Sequence, residues 1–311
     1  MTHPNETTEK VDRITLPLFV PGDRPERFAK AVAAGADAVF VDLEDAVAAD
    51  AKEAARAGLA EALAPLVGAA SILVRVNACG TPWHAADLAA CAGISGLAGV
   101  VLPKAETAAD CAGVAQATGL PVIALVESAR GLANAGEVAG ASARMAFGSI
   151  DLAADLGMAH EREVLRPARF ALAMAARLAG QSGPIDGVTT ALKDEELISS
   201  DCRHAVEMGF AGKLIIHPAQ IAPARRGFAP SQAECEWAQR VLAAVEGGAA
   251  AVAVDGAMVD APVIIKARQI LARAFSVVGA GDPGLPFVQM VRPPSTSRMT
   301  PVMKSASSEA R

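Results

Sequence analysis

Eight short apolar runs, at residues 16–20, 38–43, 71–76, 99–102, 121–126, 143–148, 185–188 and 213–216, recur along the chain with Ala-rich segments of helical spacing between them. A strand–helix unit repeated eight times closes into a (β/α)8 barrel, a TIM barrel of the α/β class. That architecture also fixes where chemistry belongs, because such barrels build their sites from the C-terminal ends of the strands. Most of the runs stop at a reactive side chain: Asp23 and Arg24, Glu44 and Asp45, Asn77, Lys104, Glu127, Asp151 and His217, with Arg75 inside the end of the third run.

The 311 residues divide into a barrel over 13–230 and a C-terminal arm or lid over 231–280, with tails at 1–12 and 293–311 expected to be disordered. A long insert over 153–183 reads as helix, and a first helix is expected at 26–34. In the arm, Ser231 with Glu234 three residues on predicts a capped helix through 245. Asp255-Gly256 predicts a hairpin, and Pro262 opens a further helix to about 275.

Bulk properties narrow the partners. Aromatic residues make up 4% with no Tyr, so Ala, Val and Leu must fill the core. A net charge of −6 excludes the basic face of a nucleic-acid binder but not an anionic small molecule held by a few local cations. The five cysteines are scattered with no metal-ligand spacing, and their odd number without a secretory signal fits a reducing, cytoplasmic setting. Gly, Pro or charge interrupts every apolar run well short of a membrane span.

Among the strand-end residues, Glu127 and Asp151 close neighbouring runs, and two hard oxygen ligands with the other positions left to water or substrate suit Mg²⁺. Either alone also reads as a helix cap. Arg75 has two readings, a structural ion pair with Glu44 or Asp45, or a fork onto a substrate carboxylate. Arg24, Arg27 and Lys30 read as solvating charges or as a cationic patch for a phosphate-bearing tail. Lys104 and His217 have weaker claims, and His217 before Pro218 also reads as a donor to a backbone carbonyl.

Residues 18–28 (LFVPGDRPERF) and 41–47 (VDLEDAV), followed in order by 75–77 (RVN), 102–106 (LPKAE), 148–157 (GSIDLAADLG), 209–213 (GFAGK) and 216–218 (IHP), resemble the citrate lyase β-subunit-like family. This is the acyl-CoA lyase branch of the HpcH/HpaI aldolase superfamily, with the malyl-CoA and citramalyl-CoA lyases, and the resemblance spans residues 15 to 275. It implies a Mg²⁺-dependent, trimeric or hexameric TIM barrel that makes or breaks a carbon–carbon bond beside a thioester. By matching position, Glu127 and Asp151 would hold the metal, Arg75 with Glu44 and Asp45 would meet substrate, and Arg24 and Lys30 would face the CoA entrance. Residues 255–262 (DGAMVDAP) resemble the arm from which an Asp enters a neighbouring subunit's site as acid/base, and Asp260 is the match. The implied reaction is cleavage of a 3-hydroxy-3-carboxyacyl-CoA to acetyl-CoA and a 2-oxo acid. A citrate lyase β subunit acting on an acyl-carrier-protein thioester, and a malate-synthase-like or thioesterase activity, stay open beside it. The chain departs from the family at Ser149-Ile150, where Ala-Glu is frequent, and at Ser128, where Thr is frequent.

Overall fold

The computed structural model describes residues 9–246 and 253–278. Its centre is a sheet of eight strands: β1 (Pro17–Pro21), β2 (Ala38–Asp42), β3 (Ile72–Arg75), β4 (Gly99–Leu102), β5 (Val122–Val126), β6 (Arg144–Phe147), β7 (Ile185–Asp186) and β8 (Gly212–Lys213). They lie side by side in chain order, each parallel to the next. The sheet closes where Leu18 bridges Ile215, with the Phe19 N–H donating to the Ile215 carbonyl at 2.9 Å. Every residue of β2, β4, β5 and β6 is buried. Strands covered by core inside and helices outside need apolar side chains on both faces, so the sequence shows unbroken runs without alternation.

The helices between the strands are α1 (Phe28–Ala33), α2 (Lys52–Leu63), α3 (His84–Ala92), α4 (Ala108–Thr118), α5 (Ala129–Ala133), α6 (Ala135–Ala141), α7 (Ser149–Asp155), α8 (Arg166–Leu178), α9 (Glu195–Glu207) and α10 (Ile221–Phe228). Several expectations are corrected. The insert over 153–183 is not one helix, because Gly157 at φ +64° ends α7 and Pro167 opens α8 after a loop. The first helix begins as a 3-10 turn over Pro25–Arg27, and strands β7 and β8 are shorter than their runs. Beyond Asp186 the backbone leaves the ladder, and Gly187 gives its carbonyl to the Lys213 ammonium at 2.6 Å.

The start of the chain, expected to be mobile through Asp12, is structured from Glu9. Residues 9–12 are helical, and Val11 is fully buried beside Ile14, Phe40, Leu73 and Ile123 in the barrel core. Arg144 explains the anchoring. It is completely buried at the N-terminal end of β6, and its guanidinium donates to the carbonyls of Val11, Asp12, Ile14 and Gly183. The tails at 1–8 and 293–311 lie outside the described residues.

The arm consists of α11 (Gln232–Glu246), a hairpin of β9 (Ala253–Val254) and β10 (Ala257–Met258), and α12 (Ala261–Val278). The expected cap forms, with the Glu234 N–H on Ser231 Oγ at 3.2 Å and the Ser231 N–H on Glu234 Oε2 at 2.8 Å. The hairpin turns at Asp255 (φ +52°) and Gly256 (φ +80°), the left-handed pair that a tight two-residue turn requires. Among the described residues no helix is long and apolar enough to cross a membrane.

Candidate active site

The parallel register sets Asp42 on β2 level with Arg75 on β3. Neighbours at one level of a barrel point the same way, so the two side chains meet at the rim. Arg75 donates from Nε to Asp42 Oδ1 at 2.7 Å and from NH2 to Asp42 Oδ2 at 2.6 Å. The same carboxylate accepts the N–H groups of Glu44 at 2.8 Å and Ala46 at 3.1 Å, which tie down the loop after β2. Arg75 NH1 faces Glu44 Oε2 at 3.1 Å and Asp45 at 3.9 Å, and its guanidinium lies 4.9 Å from the Phe19 ring centroid. The ion pair with Glu44 is therefore present. Its main partner, Asp42, was hidden from the sequence because the apolar run around it continues to Leu43.

Glu44 is buried and is held from its other oxygen by the Lys104 ammonium at 2.5 Å. Lys104 follows β4 in the left-handed region at φ +48°, rare for a residue with a side chain. This turn lets one residue serve two carboxylates, its ammonium on Glu44 and its backbone N–H on Glu127 Oε1 at 2.8 Å. Burial lowers the Lys104 pKa, but the bond to Glu44 and the charges of Glu44, Glu127 and Asp45 outweigh it and raise it overall. Glu44 is raised too, burial outweighing Arg75 and Lys104.

Glu127, at the end of β5, is 4% exposed. Its closeness to β6 depends on Gly148, where a Cβ would collide with the Glu127 carboxylate. Burial first, then the charges of Glu44 and Asp151, push Glu127 up to about 8. Asp151 lies in the first turn of α7, and both carboxylates line a cavity of about 410 Å³ at the C-terminal mouth of the barrel. Asp42, Asp45 and Arg75 line the same cavity. Five carboxylates, Asp42, Glu44, Asp45, Glu127 and Asp151, thus gather around Arg75 and Lys104, with the buried Lys52 ammonium behind them on the Leu43 and Glu44 carbonyls at 2.8 and 2.6 Å. The excess negative charge and the oxygen donors of Glu127 and Asp151 fit a hard divalent cation. Among the described residues no group of three or more His, Cys, Asp or Glu is arranged around one point, so such a cation takes water or substrate for its other ligands.

The remaining candidates lie apart from this cluster. Arg24, Arg27 and Lys30 are exposed on the segment after β1, with Arg24 3.9 Å from Asp23. His217 accepts the Ala219 N–H on Nδ1 at 3.1 Å, so it caps a turn where donation to a carbonyl was expected. Asp260 is exposed at the start of α12, where its carboxylate accepts the Val263 N–H at 3.1 Å, and it does not line the cavity of its own chain. One contact had no sequence signal. His160, in the loop between α7 and α8, bonds Ser149 Oγ through Nε2 at 2.9 Å, two residues from Asp151.

A barrel with this rim has known relatives. The family model described as HpcH/HpaI aldolase/citrate lyase matches residues 15–218. The chain belongs to the HpcH/HpaI aldolase/citrate lyase family. This makes it an enzyme of a carbon–carbon lyase family. It is 42% identical over 266 residues to a citrate lyase subunit beta-like protein of Mycobacterium tuberculosis, covering 83% of this chain and 94% of the relative. It is 41% identical over 276 residues to a (3S)-malyl-CoA thioesterase of Cereibacter sphaeroides, covering 84% and 94%. Among solved structures, protein CitE from Mycobacterium tuberculosis in complex with magnesium, acetoacetate and coenzyme A matches with a TM-score of 0.75 at 42% identity, over 84% of this chain and 98% of that one. Members of the HpcH/HpaI family with these names thus share both the barrel and most of its length with this chain.

Proposed function

We propose that the protein is a Mg²⁺-dependent lyase that splits a 3-hydroxy-3-carboxyacyl-CoA thioester of the malyl-CoA or citramalyl-CoA type into acetyl-CoA and a 2-oxo acid. The observation that carries this reading is the pair Glu127 and Asp151, like-charged and adjacent in the barrel mouth, beside an arginine. The magnesium and coenzyme A bound by the CitE relative support it. Glu127 and Asp151 would hold the Mg²⁺, which would supply positive charge to the oxygens of the 2-oxo acid half of the substrate.

The reaction breaks the bond between the carbinol carbon and the thioester α-carbon. The hydroxyl gives up its proton, its oxygen becomes the keto oxygen, and the bonding pair passes to the α-carbon as a thioester enolate that takes up a proton. Arg75, held in one orientation by Asp42, presents its remaining N–H groups to the substrate carboxylate. A fork from Nε and NH2 is already committed to Asp42, so Arg75 binds substrate from its NH1 side, where Glu44 and Asp45 also lie. Asp260 does not reach its own chain's cavity, which agrees with its serving a neighbouring subunit of a homotrimer or hexamer as the proton donor to the α-carbon. Arg24 and Lys30, exposed on the segment after β1, would meet the CoA phosphates.

Turnover of malyl-CoA and citramalyl-CoA, with 2-oxo acid and free CoA followed separately, tests the reading. A 2-oxo acid released only with Mg²⁺, and lost in Glu127→Ala, is expected. Equal cleavage in excess EDTA overturns it. Mixing inactive Glu127→Ala and Asp260→Ala proteins under conditions that exchange subunits should restore activity, and no recovery means that Asp260 does not serve a neighbouring subunit's site. The thioesterase relative favours a second reading, in which free CoA appears along with an intact hydroxy acid.

A further inference from the structure

The cavity has two unlike walls. The strand order runs once around the barrel, so the charged residues Asp42, Glu44, Arg75, Lys104, Glu127 and Asp151, at or just past the ends of β2 to β6, occupy one continuous arc of the rim, where Leu125 and Phe147 are the apolar lining residues of β5 and β6. The complementary arc, from β7 through β8 to β1, contributes Val188, Leu214, Ile216 and Val20 to the lining. Ile150, between the two arcs, completes the apolar side. Ile150 is 42% exposed and Ile216 39% exposed. Both are large aliphatic side chains at a concave site, left in water where a bound molecule would cover them.

The polar groups nearest this apolar arc are already committed. Ser149 Oγ is bonded to His160, and a Cβ at Gly187 would collide with that hydroxyl, so it is closed in from the β7 side. Lys213 is 2% exposed, with its ammonium on the Gly187 carbonyl and on Asp186, which Arg169 also holds at 2.9 Å. Arg75 and Lys104 are matched by Asp42 and Glu44. Five carboxylates less these two cations and the buried Lys52, whose ammonium donates to the Leu43 and Glu44 carbonyls, leave two negative charges, which a divalent cation balances. Among the described residues that line the cavity Arg75 is the only cation, so a second carboxylate on the substrate would find no free cation there.

We infer that the 2-oxo acid half of the substrate carries an alkyl substituent, packed against Ile150, Ile216 and Val188, in place of a hydrogen or a second carboxylate. This rests on the lyase reading above and names the substrate class of that site. The substituent is methyl or slightly larger, and Ile150 and Ile216 are its specificity-determining contacts. An added methylene in a hydrophobic pocket is worth about 10- to 200-fold in kcat/KM.

The test uses full-length protein with Mg²⁺ and four thioesters that differ only at the carbinol carbon: malyl-CoA (hydrogen), citramalyl-CoA (methyl), its ethyl homologue, and citryl-CoA (carboxymethyl). In parallel, calorimetry measures binding of glyoxylate, pyruvate, 2-oxobutanoate and oxaloacetate. The methyl compound should exceed the hydrogen compound by about 10-fold or more and the carboxymethyl compound by a wider margin. Pyruvate and 2-oxobutanoate should bind more tightly than oxaloacetate. In Ile150→Ala and Ile216→Ala the methyl-to-hydrogen ratio should fall several-fold, with malyl-CoA turnover changed much less. Preference for citryl-CoA or oxaloacetate overturns the inference, as does a ratio unmoved by both substitutions. Either result leaves the lyase reading standing. No cleavage of any thioester and no Mg²⁺-dependent binding of any 2-oxo acid would instead remove the lyase reading itself.

Discussion

The two ends of the barrel treat buried charge in opposite ways. At the N-terminal end Arg144 is entirely enclosed, yet its guanidinium is matched by four backbone carbonyls that have few other partners. Burial lowers its pKa to about 10, still well above neutrality, so it stays charged and ties the residues before β1 to the strand across the barrel. At the C-terminal end Glu127 is nearly as enclosed, but Glu44 and Asp151 face it with the same sign. One end is satisfied within the chain, and the other is complete only with something added. Natural sequences break local rules chiefly where function requires it, so the contrast sets the end that holds the fold apart from the end proposed for the chemistry.

The sharpest way to break this contrast is Arg144→Met. Carbonyls that lose their donor inside the barrel cost about 1–3 kcal/mol each, offset in part by the apolar side chain. A loss of about 3–5 kcal/mol is expected in urea unfolding, with Mg²⁺ affinity of the folded protein unchanged. A loss below about 1 kcal/mol would mean that water replaces the guanidinium, and the lower end would not be the stabilising one.

The matching change at the mouth, Glu127→Gln, should act in the opposite sense on the metal-free protein. Glu127 titrates at about 8 when folded, above the ~4.3 of an unfolded Glu, so the folded state binds its proton more tightly. The stability this group contributes is complete below pH ~4 and is lost as the pH rises through about 8. Metal-free wild type should accordingly weaken over that range, while Glu127→Gln should weaken less and melt higher at pH 8.5. Mg²⁺ affinity should fall about 100-fold or more. Thermal melts with and without Mg²⁺ across this pH range measure both. A wild type whose metal-free melting point does not fall toward alkaline pH would show that the three carboxylates do not strain the mouth.

How far the sequence could be read differs between the same two ends. Glu127, Asp151, Arg75 and Glu44 stand out as candidates because each lies at or just past the end of an apolar run, and strand-end residues of a barrel have few places to go. Asp42 was not, since its role follows from being level with Arg75 across a parallel ladder, and register is a property of two strands. Arg144 was missed for a related reason. It begins a strand, where a charged residue reads as solvent-facing, and only the return of residues 9–14 beneath the barrel covers it. The contact between Ser149 and His160 depends on how a loop folds back, which no periodicity records. The break in the insert is hard to see in the sequence because the helical spacing of Leu165, Ala168, Leu172 and Ala176 dominates the segment and masks Gly157.

Arg75→Lys tests whether the pairing at the rim serves substrate or merely neutralises Asp42. A lysine keeps the charge but cannot fork onto Asp42 while facing the cavity. The KM for the thioester should rise about 10-fold, with Mg²⁺ affinity changed by less than about 3-fold. Equal effects on both would make Arg75 a part of the metal's electrostatic surroundings alone.

The smallest expected effect concerns backbone strain at the mouth. Lys104 holds φ +48° so that its N–H meets Glu127 while its ammonium meets Glu44. A left-handed residue with a Cβ costs about 1 kcal/mol or more, which glycine avoids while losing some of that gain to chain entropy. Lys104→Gly and Lys104→Met both remove the ammonium and both keep the N–H. The glycine variant should therefore be more stable than the methionine variant by about 0.5–1 kcal/mol, with closely similar Mg²⁺ affinities. Denaturant melts of the two, set against Mg²⁺ titrations, separate the backbone from the charge. If the two are equally stable, the turn stores no strain, and the difference between the ends of the barrel reduces to charge alone. If the glycine variant is more stable but binds Mg²⁺ more weakly than the methionine variant, the strain itself aims the Glu127 carboxylate, and the mouth is poised by its backbone as well as by its charges.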